Sequence, residues 1–226
     1  MQLIGAPSLV LRDWSARLDK PVVSAGVSFG ESMSIRLASV AAFAAVLTLS
    51  ACATSEDVVA VPYTTSQAPV VPGASSIQVT VASTDARTEN RARIGSQING
   101  YGMEMAAIRS TTEVTEIVRG AIADELRQRG YSVGDAGSRI NASVETFYND
   151  FSVGLFAGKS TGTVAMTVTV ANRAGAEVYS RRIEGAAERT VQIANGGNAA
   201  TTLSQALSAA LATLMDDPAF TAALLK

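Results

Sequence analysis

The sequence predicts an α+β domain: a mostly antiparallel sheet with two main helices packed on one face, preceded by a signal peptide and a flexible tether. Three observations carry this. Long stretches of the second half alternate apolar and polar residues with the period of a strand. Two other stretches space their apolar residues as one face of a helix. An uncharged run near the start ends at the only cysteine, Cys52, and polar, proline-bearing sequence follows it.

The folded domain is expected over 76–226. Ile77, Val79 and Val81 alternate with polar neighbours and read as its first strand. After the polar stretch "STDARTENRAR", two short strands are expected near Ala92–Ile98 and Met103–Ile108, with Asn99-Gly100 as the turn between them. A helix follows from about Thr111 to Arg129. Ser110 and Glu113 fit a capping box, and Val114, Ile117, Val118, Ala121, Ile122 and Leu126 form its apolar stripe. Gly130 is the expected left-handed terminator. A short strand at Tyr131–Val133 precedes three long ones in an antiparallel meander. The first alternates Ile140, Ala142, Val144, Thr146 and Tyr148. The second places Val164, Met166, Val168 and Val170 on one face, and "AEVYSRRIEG" returns after the turn "NRAG". "NGGN" at 195–198 breaks the pattern. A second helix is expected from about Thr201 to Met215, with Leu203, Leu207, Ala210, Leu211 and Leu214 on one face. Asp217-Pro218 is an N-cap with proline in the first helical position, opening a terminal helix that carries Phe220 and Leu224.

Composition removes several classes of function. The chain carries 18 Lys and Arg against 20 Asp and Glu, a net charge of -2. Phosphate binding needs clustered basic residues, so no nucleic-acid partner is expected. Histidine is absent, which removes the commonest general base and metal ligand. One cysteine supports neither an internal disulfide nor a multi-cysteine zinc site. No catalytic residue, metal site or cofactor is assigned, and a non-enzymatic role is expected.

Read from Met33, the chain runs "MSIRLASVAAFAAVLTLSAC". Arg36 supplies a positive start, Leu37–Leu49 an uncharged, mostly apolar middle, and small residues the exit, the pattern of a secretory signal over 33–51. Thirteen helical residues span about 20 Å, short of the roughly 30 Å hydrocarbon core. An uncleaved anchor stretching to Ser55 is the alternative. Leu49-Ser50-Ala51-Cys52 resembles the lipobox of bacterial lipoproteins. The resemblance implies a diacylglycerol on the Cys52 sulfur, cleavage between Ala51 and Cys52, and acylation of the new amino group. Two or more acyl chains make attachment stable where one is marginal. The extension 1–32 has no sustained period and places Arg12, Asp13, Arg17, Asp19 and Lys20 ahead of the signal. Translation starting at Met33 is the simplest account, and a signal with a long charged region is the other. Residues 52–75 hold the lipidated cysteine and a Thr, Ser, Ala and Pro-rich linker, read as a flexible tether.

The candidate interaction surface is aromatic. Phe147, Tyr148, Phe151 and Phe156 fall within ten residues, the first two at the end of a strand and the others on a connection expected to run from Asn149 to Gly162. Phe147 lies on the otherwise polar phase of its strand. Either the loop folds back and these rings cap the core, which is the favoured reading, or they form a partner or ligand surface. The second option admits a ligand-binding protein or hydrolase using 147–162. "GLFAGKST" fails as a phosphate-binding loop, because Gly154 and Gly158 enclose three residues instead of four and a β-type run follows. Glu145 with Asp150, Asp124 with Glu125, and Asp216 with Asp217 are the neighbouring carboxylates. The helical pairs are read as solvated faces or caps.

Several stretches resemble the YajG family of small bacterial lipoproteins. They are "VASTDART", "VRGAIADELRQRGYSV", "VTVANRAGAEVYSRRIEG" and "LSQALSAALATLMDDPAFTAALL", and the resemblance covers roughly Ile77–Leu225. It implies an envelope lipoprotein and supplies no catalytic residues. Ala53, where aspartate would retain such a protein in the inner membrane, implies the periplasmic face of the outer membrane. The expected partners are the membrane, through the N-terminal lipid, and an envelope protein or peptidoglycan. Peptide mass spectrometry of protein from envelopes should yield no peptide containing Trp14; recovering one from the mature protein would overturn the processing scheme.

Overall fold

The computed structural model describes residues 55–225. The extension 1–32, the signal 33–51 and Cys52 with the next two residues lie outside the described residues. The strands are β1 (Asp57–Val59), β2 (Gln78–Asp85), β3 (Gly95–Ile98), β4 (Glu104–Ser110), β5 (Ser132–Val133), β6 (Ser138–Ser152), β7 (Gly158–Ala171) and β8 (Glu177–Val191). The helices are α1 (Val114–Gln128), α2 (Gly196–Met215) and α3 (Pro218–Leu224).

All eight strands belong to one sheet, and β6 is its hub. Along one edge β6 pairs antiparallel with β7, from Arg139 opposite Ala171 to Ser152 opposite Lys159. β7 in turn pairs antiparallel with β8. These two long ladders are the expected meander. The other edge of β6 is shared. Its first half pairs parallel with β2, and Asn149 near its far end meets Gly95 of β3. β5 lies beyond β2, and β4 and β1 lie beyond β3. The parallel β2–β6 ladder requires a crossover, which α1 supplies.

The alternation expected for β6 holds to Val144 and then inverts. Val144 faces Met166 but Thr146 faces Ala165, so Glu145 is an extra residue in the ladder. Such a bulge changes which face later side chains occupy. Phe147 and Asn149 are therefore buried, while Thr146 and Tyr148 are only partly so. This explains the apparent misplacement of Phe147. Asn149 then needs a buried partner. The Ser160 hydroxyl donates to Asn149 Oδ1 at 2.8 Å and lies 2.9 Å from the Thr202 hydroxyl of α2. No buried side-chain polar atom lacks a partner among the described residues.

Both long helices cover the same face, α1 over β2 and α2 over β7 and β8. The predicted apolar stripe of α1 is buried throughout. Its start is not as expected: the helix begins at Val114, Glu113 makes no side-chain cap, and the capping box does not form. Ser110 is instead the last residue of β4, paired with Val59. Helix α2 starts at Gly196, ahead of the expected Thr201. "NGGN" is its first turn rather than a break. Asn195 Oδ1 accepts from the Asn198 amide at 2.9 Å, and Asp57 Oδ2 of β1 accepts from the Gly196 amide at 2.6 Å. Along the sheet, α2 sits close over Gly185, where a Cβ would stand 2.3 Å from the Ala206 carbonyl oxygen and the Ala210 amide. Asp217 caps α3 as expected, accepting from the Ala219 amide at 2.9 Å, and Phe220 and Leu224 are buried.

The tether expected over 52–75 is, from Ser55 onward, part of the folded body. β1 pairs parallel with β4, and Val61 is buried. Next, Tyr63 Oη and the Ser66 amide each donate to Glu125 Oε1 at 2.6 Å, and the Ser66 hydroxyl donates to Oε2 at 2.6 Å. Arg129 completes the set through an ion pair with the same carboxylate. Glu125, expected on a solvated helix face, is thus buried. Pro and Ser did not make this segment loose, because a charged acceptor on α1 takes its donors.

Burial pushes the Glu125 carboxyl up, but the Ser66, Tyr63 and Arg129 hydrogen bonds outweigh it and hold the pKa at about 2. The folded value lies below the usual 4.5, so this clamp contributes fully above about pH 4.5 and is lost as pH falls towards about 2. Glu125→Ala should cost about 3–5 kcal/mol in urea unfolding at neutral pH, since it strands the largely covered Arg129 charge and the Tyr63 and Ser66 donors. It should also flatten the acid limb between those pH values; an unchanged limb would mean that another carboxylate controls it.

Candidate functional site

The four aromatic residues of the expected surface do not act together. Phe147 is fully buried in the core, at 0% exposure. Phe151 packs against the edge of the core. Tyr148 is partly buried, with its hydroxyl 3.2 Å from that of Ser96. Phe156 is 91% exposed. The connection itself is shorter than expected, because β6 runs to Ser152 and β7 starts at Gly158. Only 153–157 form the turn. The polar alternation of both strands concealed their length.

Phe156 instead belongs with residues the sequence pattern did not single out. Leu155 is 91% exposed and Tyr101 90%, and Met103, Val153 and Ile193 are exposed as well. The topology places them at one end of the sheet. β3 and β6 run parallel into it, ending at Ile98 and Ser152. Gly158 pairs with Val191, so the chain leaves β8 at the same end. A groove of about 430 Å³ runs between the three connections, lined by Ile98, Phe151, Leu155, Phe156 and Ile193 among others. In the β3–β4 turn the Asn99 carbonyl accepts from the Gly102 amide at 2.9 Å, and Asn99 Oδ1 accepts from the Tyr101 and Met103 amides. Gly102, at φ 80°, provides the left-handed residue that this turn needs.

The three connections at this end carry no charged residue of their own, and the nearby Asp57 carboxylate is taken up by the Gly196 amide at the start of α2. Residues 98–103, 152–158 and 191–198 contain no Asp, Glu, Lys or Arg. Glu104 and Lys159 border it, each in an ion pair, with Arg93 and Glu188 respectively. An end with fully exposed Leu, Phe and Tyr is the candidate contact surface, since isolated apolar residues are ordinary but a shared patch is not. The sequence signal was "NGYGM" and "SVGLFAG", large apolar residues flanked by turn glycines.

The other candidates are structural. Lys159 of "GLFAGKST" opens strand β7 and pairs with Glu188 at 2.9 Å. Glu145 accepts from the Thr167 hydroxyl at 2.6 Å and Arg182 Nε at 2.9 Å, and Thr167 then Arg182 hold its carboxyl below the usual range. Asp150 lies near it along a groove of about 280 Å³, its carboxyl pushed up by partial burial. Asp217 is held low by Arg181 and Tyr179. Asp124 pairs with Arg127 on the helix surface.

Residues 64–225 match the model of a family described as uncharacterized lipoprotein, in agreement with the resemblance to the YajG lipoproteins. No curated protein is detectably similar. Among solved structures, protein XCC0632 from Xanthomonas campestris aligns at 15% identity with a TM-score of 0.52, over 74% of this chain and 96% of that one. Lipoprotein GNA1162 from Neisseria meningitidis aligns at 14% identity with a TM-score of 0.33, over 62% and 99%. The likeness to XCC0632 concerns the fold alone. No helix among the described residues is long and apolar enough to cross a membrane.

The division of the aromatics has a direct consequence. Phe147→Ala should cost about 3–5 kcal/mol in urea unfolding. Phe156→Ser should stay within about 0.5 kcal/mol of the parent. Equal losses would mean that the hairpin tip is packed in solution.

Proposed function

The chain belongs to this family of lipoproteins, and from that premise we propose that it is a lipid-anchored, non-enzymatic contact module of the bacterial envelope. Cys52 is the anchor, carrying diacylglycerol on its sulfur and an acyl group on its amino end after cleavage from Ala51. Ala53 directs it to the outer membrane, facing the periplasm. The domain works through the uncharged end of its sheet, and the observation that carries this is the joint exposure of Tyr101, Leu155 and Phe156 there. The polar alternation across the open sheet face, tied by Glu145, Arg182 and Glu184, suits water instead.

A second reading is a hydrolase or ligand-binding protein at the aromatic stretch. It is favoured by the groove that Glu145 and Asp150 share, with their acidities displaced in opposite directions. Loss of a turnover on Glu145→Ala would support it.

Cys52→Ser should release the protein from the membrane fraction. A photo-reactive side chain at position 156 should cross-link to an envelope component, and one at position 173, in the β7–β8 turn, should not. Unchanged membrane attachment of Cys52→Ser would refute the anchor; equal labelling from both positions would refute the contact surface.

A further inference from the structure

We infer that the uncharged end of the sheet lies against the same membrane that holds the Cys52 lipid, with Leu155, Phe156, Tyr101, Met103 and Ile193 seated at the lipid–water boundary. The inference rests on the proposed acylation of Cys52 and names what the contact surface touches.

The first argument is covalent. Three residue steps separate Cys52 from Ser55, and three extended residues reach at most about 11 Å, whatever their conformation. The folded body begins at Ser55, whose carbonyl accepts from Gln97 Nε2 at 3.2 Å. Gln97 precedes Ile98, which lines the groove between the exposed tips. The lipid attachment point is therefore confined to the neighbourhood of this groove. A long tether, as read from the sequence, would have left the domain free to face anywhere; the pairing of β1 removes that freedom.

Strand direction gives the second argument. β1 runs parallel to β4, with Asp57 opposite Ile108. β4 starts at the uncharged end, at Glu104. Traced backwards from Asp57, the chain heads towards that end and away from the β7–β8 turn at the far side.

Chemistry is the third. The part of a surface that enters the acyl region of a bilayer has to be free of charge, with amphipathic side chains at the headgroup level. Leu and Phe enter the acyl region, and Tyr places its ring at the headgroup level. The three connections hold none of the four charged residue types; the bordering Glu104 and Lys159 are in ion pairs, and Asp57 accepts from the Gly196 amide. Two or more acyl chains supply the affinity, so the tips have only to set orientation. A few exposed side chains are enough for that.

The test uses the absence of tryptophan after position 14. Lipidated full-length protein carrying Phe156→Trp is purified from envelopes. It is reconstituted into phosphatidylethanolamine–phosphatidylglycerol vesicles containing lipids brominated on their acyl chains. The reporter should shift to shorter wavelength and lose most of its fluorescence. Arg173→Trp, at the opposite end, should remain at long wavelength and unquenched. A solvent-like, unquenched Trp at 156 on vesicle-bound protein overturns the inference. So does an unquenched reporter combined with cross-links from 156 to one envelope protein, which would make a protein the occupant. The mass of the N-terminal peptide separates the two levels: unmodified Cys52 sinks the anchor and this placement together, whereas acylated Cys52 with an unquenched reporter sinks the placement alone.

Discussion

The fold depends on one strand satisfying two edges at once. β6 must pair along its whole length with β7 while its other edge passes from β2 to β3. A regular strand would then present Tyr148 to the helices and Phe147 to water. The extra residue at Glu145 reverses that phase, so the first half of β6 buries Ile140, Ala142 and Val144 and the second half buries Phe147 and Asn149. The displaced Glu145 is held on the open face by Thr167 and Arg182. Its neighbours therefore stabilise the bulge itself. Both ends of the molecule follow from this, since β3 and the exposed turns are placed by the second half of β6.

Helix α2 is the other half of the same arrangement. It approaches the sheet closely because Gly162 and Gly185 leave room for its backbone, and it buries the Ser160–Asn149–Thr202 set. Its N-terminus is held from both sides, by Asn195 next to it and by Asp57 from β1. β1 thus does more than extend the sheet. It ties the incoming chain to α2, and Glu125 on α1 then fixes the segment through Tyr63 and Ser66. The incoming segment is part of the domain's interior economy of donors and acceptors, although its composition resembles a linker.

That fixation connects fold to function. An anchored domain on a loose tether samples all orientations, whereas one whose chain is paired up to Ser55 presents a defined end. That end carries large apolar side chains that are exposed among the described residues. Under the proposed acylation of Cys52, the lipid and the exposed tips share one surface, a consequence of strand direction and covalent reach.

Local periodicity by itself determined much of this protein. Alternation marked β2, β7 and β8, helical spacing marked the buried stripes of α1 and α2, and Asp217-Pro218 marked the start of α3, because each reports only on neighbouring residues. The signal-like pattern and the lipobox resemblance around Cys52 are local readings of the same kind, and they lie outside the described residues. Tertiary structure decided the rest. The bulge at Glu145, the use of Ser110 in β4, the glycine start of α2 and the burial of Glu125 each depend on a partner distant in sequence. The candidate surface was half legible: Phe151 and Phe156, which line one groove, were singled out, but grouped with Phe147 and Tyr148, which lie elsewhere beyond the bulge. Tyr101, Leu155 and Ile193 come from three turns that meet only when the sheet forms, and no pattern within one segment can report a juxtaposition made between three.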